Sequence, residues 1–164
     1  MDPIAALLPL LPICAPAVHP DTILRVVHTE SGYNALAIGI NGARLERQPR
    51  NLAEAIVTAR ELRRLGYDFD AGAAQINVRN WKWLGLDEAS VFDPCKNLKA
   101  AQTVLLDCFK RAPAADPQTA LRQALSCYNT GNHRNGFTNG YVTKVVRATV
   151  ASIVVPATSQ ESPP

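Results

Sequence analysis

Two Asp-Pro pairs, 93–94 and 116–117, constrain this chain more than any other feature in it. Each is a helix start: the aspartate caps, and the proline takes the first helical position, where its missing N–H leaves no bond unmade. After the first pair, Leu98, Ala101, Val104, Leu105, Cys108 and Phe109 keep helical spacing. After the second, Ala120, Leu121, Ala124, Leu125 and Tyr128 do the same, until Gly131 ends the run. Two further segments are built alike. His19-Pro20-Asp21 opens a helix with Ile23, Leu24, Val26 and Val27 on its apolar face, which ends at Glu30-Ser31 before Gly32. Asn51 caps a helix over 52–65 with Glu54 in its first turn and Gly66 after its end. Its apolar face is Leu52, Ala55, Ile56, Ala59 and Leu62, and Arg60, Arg63 and Arg64 form its solvated side. A chain with this punctuation is mainly helical.

The stretches between these helices read as irregular. Residues 33–48 hold Gly39 and the Asn41-Gly42 pair, which predict loop and turn with a short hairpin around Ala37–Ile40. Residues 67–77 and 132–140 read as loops, and a short helix over 78–84 carries Trp81 and Trp83. The segment 141–154 is rich in β-branched residues, so propensity alone predicts a strand. Its apolar residues Tyr141, Val142, Val145, Val146, Val150 and Ile153 fall at helical spacing, and the period is the stronger signal. The final PATSQESPP, 156–164, has the composition of a disordered tail.

A chain of 164 residues is the size of one domain. The net charge is +3 and no Lys/Arg run occurs, so the sequence gives no support to nucleic-acid binding. The N-terminal segment 1–13 is apolar but has no Lys or Arg before its hydrophobic stretch, and Pro9 and Pro12 interrupt it. It reads as a degenerate signal segment or as the first packed element of a domain over 14–155. No run reaches the length of a membrane span. Cys14, Cys95, Cys108 and Cys127 contain no C-x-x-C pair and have no histidine at ligand spacing, so neither a zinc site nor another metal site is expected. An even count fits two disulfides in an oxidising compartment, or four buried thiols in a reducing one.

Three short segments then stand out together: Glu30-Ser31-Gly32, Gly72-Ala73-Ala74-Gln75-Ile76-Asn77, and Ala124-Leu125-Ser126-Cys127-Tyr128-Asn129-Thr130-Gly131. Glu30 falls at the C-terminal end of its helix, where the macrodipole disfavours a negative charge and so raises the carboxyl pKa. Read alone, it is an ordinary exposed helix-end glutamate. In order and setting the three segments resemble the goose-lysozyme-like lytic transglycosylase family. AIGING after the Glu-Ser pair, the QINVRNW run and the DPCKNL helix start look like the small transglycosylase component of bacterial type IV secretion systems. The likeness covers about 14–150.

The resemblance implies a mainly α, lysozyme-like fold with a glycan cleft, acting in the periplasm on peptidoglycan strands beside secretion-system subunits, with no cofactor. It assigns Glu30 as the single catalytic acid, Ser31 as a supporting residue, and Gln75, Tyr128 and Asn129 as cleft residues. Tyr128 is expected to hold Glu30 by a hydrogen bond, and an apolar cleft wall to add to the helix end in raising its pKa. The family usually has Leu-Met where this chain has Ala73-Ala74, and its methionine walls the pocket for the sugar N-acetyl group. Alanine would thin that wall, leaving a wider pocket, a gap filled by another side chain, or weaker activity.

A hydrolase needs two carboxylates, whereas an intramolecular transglycosylase needs one. Asp68 and Asp70 are the other carboxylates close in sequence to the second segment, and their plain reading is capping of the loop before Gly72. Were one to face Glu30, hydrolysis becomes available. The rivals are thus a lysozyme-type hydrolase and an inactive glycan-binding or assembly protein. Trp81 and Trp83 fit sugar stacking or core packing, Tyr33 and Tyr141 are candidate cleft residues, and His28 points away from Glu30. Ser31 and Ser126 lack a histidine partner motif and are poor nucleophile candidates.

Cys95 and Cys108 flank one predicted helix, about 20 Å apart at 1.5 Å per residue, against a disulfide limit of about 7 Å. They cannot pair with each other. Related transglycosylases of type III secretion look as if they keep an N-terminal cysteine and the one after Asp-Pro. By that resemblance Cys14 pairs with Cys95, and Cys108 then pairs with Cys127.

Overall fold

The computed structural model describes residues 2–148. The chain begins with two short helices, α1 (Pro3–Leu7) and α2 (Leu11–Cys14), whose Leu7, Leu11 and Cys14 are buried in the core. Helix α3 (Pro20–Ser31) follows, then strand β1 (Ile38–Ile40) and helix α4 (Leu52–Arg64). Strands β2 (Phe69–Ala71) and β3 (Ile76–Asn77) precede α5 (Trp81–Leu84). The C-terminal half is helical: α6 (Pro94–Lys110), α7 (Pro117–Thr130), α8 (Asn135–Thr138) and α9 (Tyr141–Arg147).

The expected caps form. Asp93 accepts from the Lys96 N–H, Asp116 from Thr119 and Asn51 from Glu54, each satisfying a first-turn donor. Glycines at 32 and 131 take left-handed backbone and close α3 and α7. The period also decides for helix over strand at α9, as far as Arg147; Val150, Ile153 and the 156–164 tail lie outside the described residues.

Three features differ from the sequence reading. The hairpin around Ala37–Ile40 is a three-stranded antiparallel sheet in the order β1-β2-β3, because the supposed loop 67–77 supplies two strands too short to show a period. The supposed loop 132–140 contains α8. Leu52, assigned to the apolar face of α4, is half exposed, while Ala55, Ala59 and Leu62 are buried.

Two adjoining cores hold the elements together. One joins α2, α3, α4, the sheet and the start of α6 around Trp81, Phe69 and Leu98. The other lies between α3, α6, α7 and α9 around Val26, Leu105, Leu125 and Val145. Both implied disulfides are present. Cys14–Cys95 fastens α2 to the start of α6, with Cα atoms 5.3 Å apart. Cys108–Cys127 fastens α6 to α7 at 5.7 Å.

Candidate active site

Helix α3 delivers Glu30 from its penultimate position to the floor of a cleft of about 470 Å³. The sheet and the segment after it form one wall, with Asp70, Gln75, Asn77 and Trp83. Helices α6 and α7 form the other, with Asp107, Arg111, Tyr128 and Asn129.

The Glu30 carboxyl is half buried, and burial pushes its pKa up to about 8. The nearby Asp70 carboxylate adds to the rise, and a hydrogen bond from Tyr141 opposes it. Desolvation is therefore the leading cause, in line with the apolar cleft wall expected beside the helix-end effect. Tyr141, the first residue of α9, donates its phenol to Oε1 of Glu30 at 2.7 Å. It is buried and lies outside the cleft lining, so it grips the carboxyl from the core side.

Tyr128 does not make the expected bond to Glu30. Its phenol donates to the Ala74 carbonyl at 2.7 Å, which ties α7 to the turn between β2 and β3. Ser31 ties α3 to the same turn: its hydroxyl donates to the Ala73 carbonyl at 2.6 Å. Gln75 lies in the cleft wall with φ 53°, and its amide donates to the carbonyls of Ala37 and Gly72. Asn129 is also in the wall, and its Oδ1 accepts from the Asn139 amide.

Ala73 and Ala74 have no exposed surface and pack into the core. Neither lines the cleft, whose wall here is Gln75 and Ile76, so the thinned sugar wall expected from the alanines is not found. The turn that carries them is held from below by Asn97, a fully buried polar residue of α6. Its Oδ1 accepts from the Ala74 N–H, and its Nδ2 donates to the carbonyls of Ala71 and Val91. Gly72 sits directly against this amide at φ 85°, and any Cβ there would collide with Asn97. Only glycine fits both the backbone and the space.

Asp70 is a strand residue rather than a loop cap. The pleat sends Phe69 and Ala71 into the core and leaves Asp70 facing the cleft between Gly39 and Asn77 on the neighbouring strands. Asn77 donates to it at 2.9 Å. Burial pushes its pKa up to about 6, with the adjacent Asp68 adding to the rise. Asp68 keeps a structural role, accepting from the side-chain amides of Asn41 and Asn77.

The remaining candidates separate cleanly. Trp81 is buried against Phe69, whereas Trp83 is half exposed in the cleft wall. Tyr33 is buried against His28 and away from this cleft, contrary to expectation, and His28 is exposed. Ser126 is buried, with its hydroxyl donating to the Asn132 carbonyl and accepting from the Gly136 N–H. No helix among the described residues is long and apolar enough to cross a membrane.

A sequence model of the family described as Transglycosylase SLT domain matches residues 12–149. Among curated proteins, a type IV secretion system protein virB1 of Brucella abortus biovar 1 (strain 9-941) is 46% identical over 155 residues, covering 87% of this chain and 65% of the relative. The namesake in Brucella suis biovar 1 is 48% identical over 141 residues, covering 81% and 59%. Protein virB1 of Agrobacterium fabrum is 35% identical over 148 residues, covering 90% and 60%. The chain thus spans less than two thirds of the length of these relatives. No solved structure matches.

Proposed function

The chain belongs to the transglycosylase SLT domain family, and we propose from that premise that it is a peptidoglycan lytic transglycosylase in which Glu30 performs both proton transfers. The observation that carries this reading is Glu30 itself. It is a carboxyl on the cleft floor whose pKa of about 8 keeps it protonated at neutral pH. A general acid needs that state before the reaction begins.

The reaction follows from one such group. Glu30 gives its proton to the oxygen linking C1 of N-acetylmuramic acid to C4 of N-acetylglucosamine. The C1–O bond breaks and the glucosamine end leaves as an alcohol. Positive charge develops at C1, where the substrate's own acetamido oxygen can share it. The Glu30 carboxylate then takes the proton of the muramoyl 6-hydroxyl, whose oxygen bonds to C1 and closes a 1,6-anhydro ring. Glu30 ends protonated, and no water is consumed. Gln75, Asn129 and Trp83 supply amides and an aromatic face in the same cleft, the groups a sugar chain needs.

The names of the relatives support a setting beside a type IV secretion apparatus. There the enzyme would open the wall locally, in the periplasm. The two disulfides suit an oxidising compartment.

Asp70 favours one other reading. It faces the same cleft and lies close enough to raise the Glu30 pKa. As an ionised carboxylate it could activate water at C1, which makes the protein a lysozyme-type hydrolase. Mass spectrometry of digested peptidoglycan separates the two. Transglycosylation leaves anhydromuramoyl ends, each lighter by one water than the reducing ends a hydrolase leaves. Reducing ends alone would reject the single-carboxyl mechanism and point to Asp70. Binding to the wall with no cleavage would favour a glycan-binding or assembly role.

A further inference from the structure

The cleft carries two guanidinium groups that a neutral sugar chain does not call for. Arg79 follows β3 on the sheet wall, and Arg111 ends α6 on the opposite wall. Their side chains are 77% and 56% exposed. Each is held at one edge only. The Arg79 Nε donates to Asn77 Oδ1 at 3.0 Å and lies 3.7 Å from Asp68, and neither Nη has a partner among the described residues. The Arg111 Nε and Nη2 donate to Asp107 at 3.1 and 2.8 Å, with Nη2 also 3.6 Å from the Cys127 sulfur. Its Nη1 has no partner among the described residues. Ion pairs this exposed add little stability, but they fix the direction of each fork and leave N–H groups open.

A fixed guanidinium fork matches a carboxylate better than a hydroxyl. In an intact peptidoglycan strand the sugars are uncharged, because the muramoyl lactyl carboxyl is spent in the amide to the stem peptide. The formal negative charge lies on the carboxylates of the stem. Resting on the proposed function, we infer that Arg79 and Arg111 are specificity residues for stem carboxylates, so that the enzyme selects strands bearing their acidic peptides. Asp70 and Asp107 line the same cleft and would repel a misplaced carboxylate, which confines the charge to the two forks.

The test uses two soluble probes: peptide-bearing glycan strands, and the same strands with their carboxyls converted to amides. For the wild-type protein, amidation should raise KM about five- to tenfold and change kcat little. The Arg79→Gln/Arg111→Gln variant should show the higher KM on both probes. Arg64→Gln, exposed on α4 away from the cleft, should behave as wild type. A wild-type KM indifferent to amidation overturns the inference, as does an equal shift in Arg64→Gln, which would mean diffuse charge attraction. Binding of both probes to Glu30→Gln separates this from the proposed function. Charge-dependent binding without any wild-type cleavage sinks the enzyme reading and leaves the inference standing. Charge-independent binding with cleavage does the reverse.

Discussion

Tyr141 donates its phenol to Glu30 at 2.7 Å across 111 residues of sequence, joining the first helix of the site to the last described one. The bond opposes the rise in the Glu30 pKa. Removing it should therefore move that pKa further up. Tyr141→Phe should lower kcat about tenfold, the effect of one lost hydrogen bond to a reacting group. It should also shift the alkaline limit of activity above that of wild type. A lowered kcat with an unmoved alkaline limit would mean that Tyr141 only fills space.

Glu30 also predicts a stability effect. Its folded pKa of about 8 stands above the ordinary carboxyl value of 4.5. Between these values the folded state holds more protons than the unfolded one, so stability falls as pH rises through that window. Glu30→Gln keeps the shape and the acceptor for Tyr141 but carries no titrating group. It should abolish turnover and yet raise unfolding stability at pH 7 by roughly 2–3 kcal/mol, with no gain at pH 4. Denaturant titrations at the two pH values check this, and a gain equal at both would assign it to something other than the charge.

Ala74 predicts the opposite balance of function and packing. Its side chain is in the core, and its N–H and carbonyl are both engaged, by Asn97 and Tyr128. Methionine there has no cleft to enter. Ala74→Met should destabilise the fold by about 1–3 kcal/mol through overpacking and reduce activity by displacing Tyr128. Unchanged stability with tighter substrate binding would mean that the side chain reaches the cleft after all.

Legibility in the sequence followed the range of the interactions. The caps at Asp93, Asp116 and Asn51 are local, so α6, α7 and α4 were readable to within a residue or two at each end. Strand β1 fell within the expected hairpin segment, but β2 and β3 were not readable, because Phe69–Ala71 and Ile76–Asn77 are too short for alternation to stand out from a loop. Glu30 was nameable from its motif, and an apolar wall was expected to help raise its pKa, but that burial is the leading cause belongs to the tertiary fold. Tyr141 stood only as a candidate, with no sign of its bond to Glu30. Asn97 was missed, although an asparagine next to Leu98 in the first turns of an apolar-faced helix is itself a signal of a buried polar anchor. The misplaced alanine wall has a single source. Ala73 and Ala74 face the core, while Gln75, with its left-handed backbone, is the residue of this turn that lines the cleft.

The pH dependence of the rate distinguishes one carboxyl from two. Glu30 must be protonated to start the reaction, so activity should fall as pH rises through about 8. A hydrolase using Asp70 as its base needs that group ionised, so its activity would also fall as pH drops through about 6. The single-carboxyl mechanism has no such requirement. The wild-type profile of kcat/KM should therefore be flat from about 5 to 7 and decline only on the alkaline side. Asp70→Asn should keep that shape, with its alkaline limb moved to lower pH because the Asp70 charge no longer helps to raise the Glu30 pKa. A bell with an acid limb near 6 that vanishes in Asp70→Asn would place a second carboxylate in the mechanism, and the digest should then contain reducing ends.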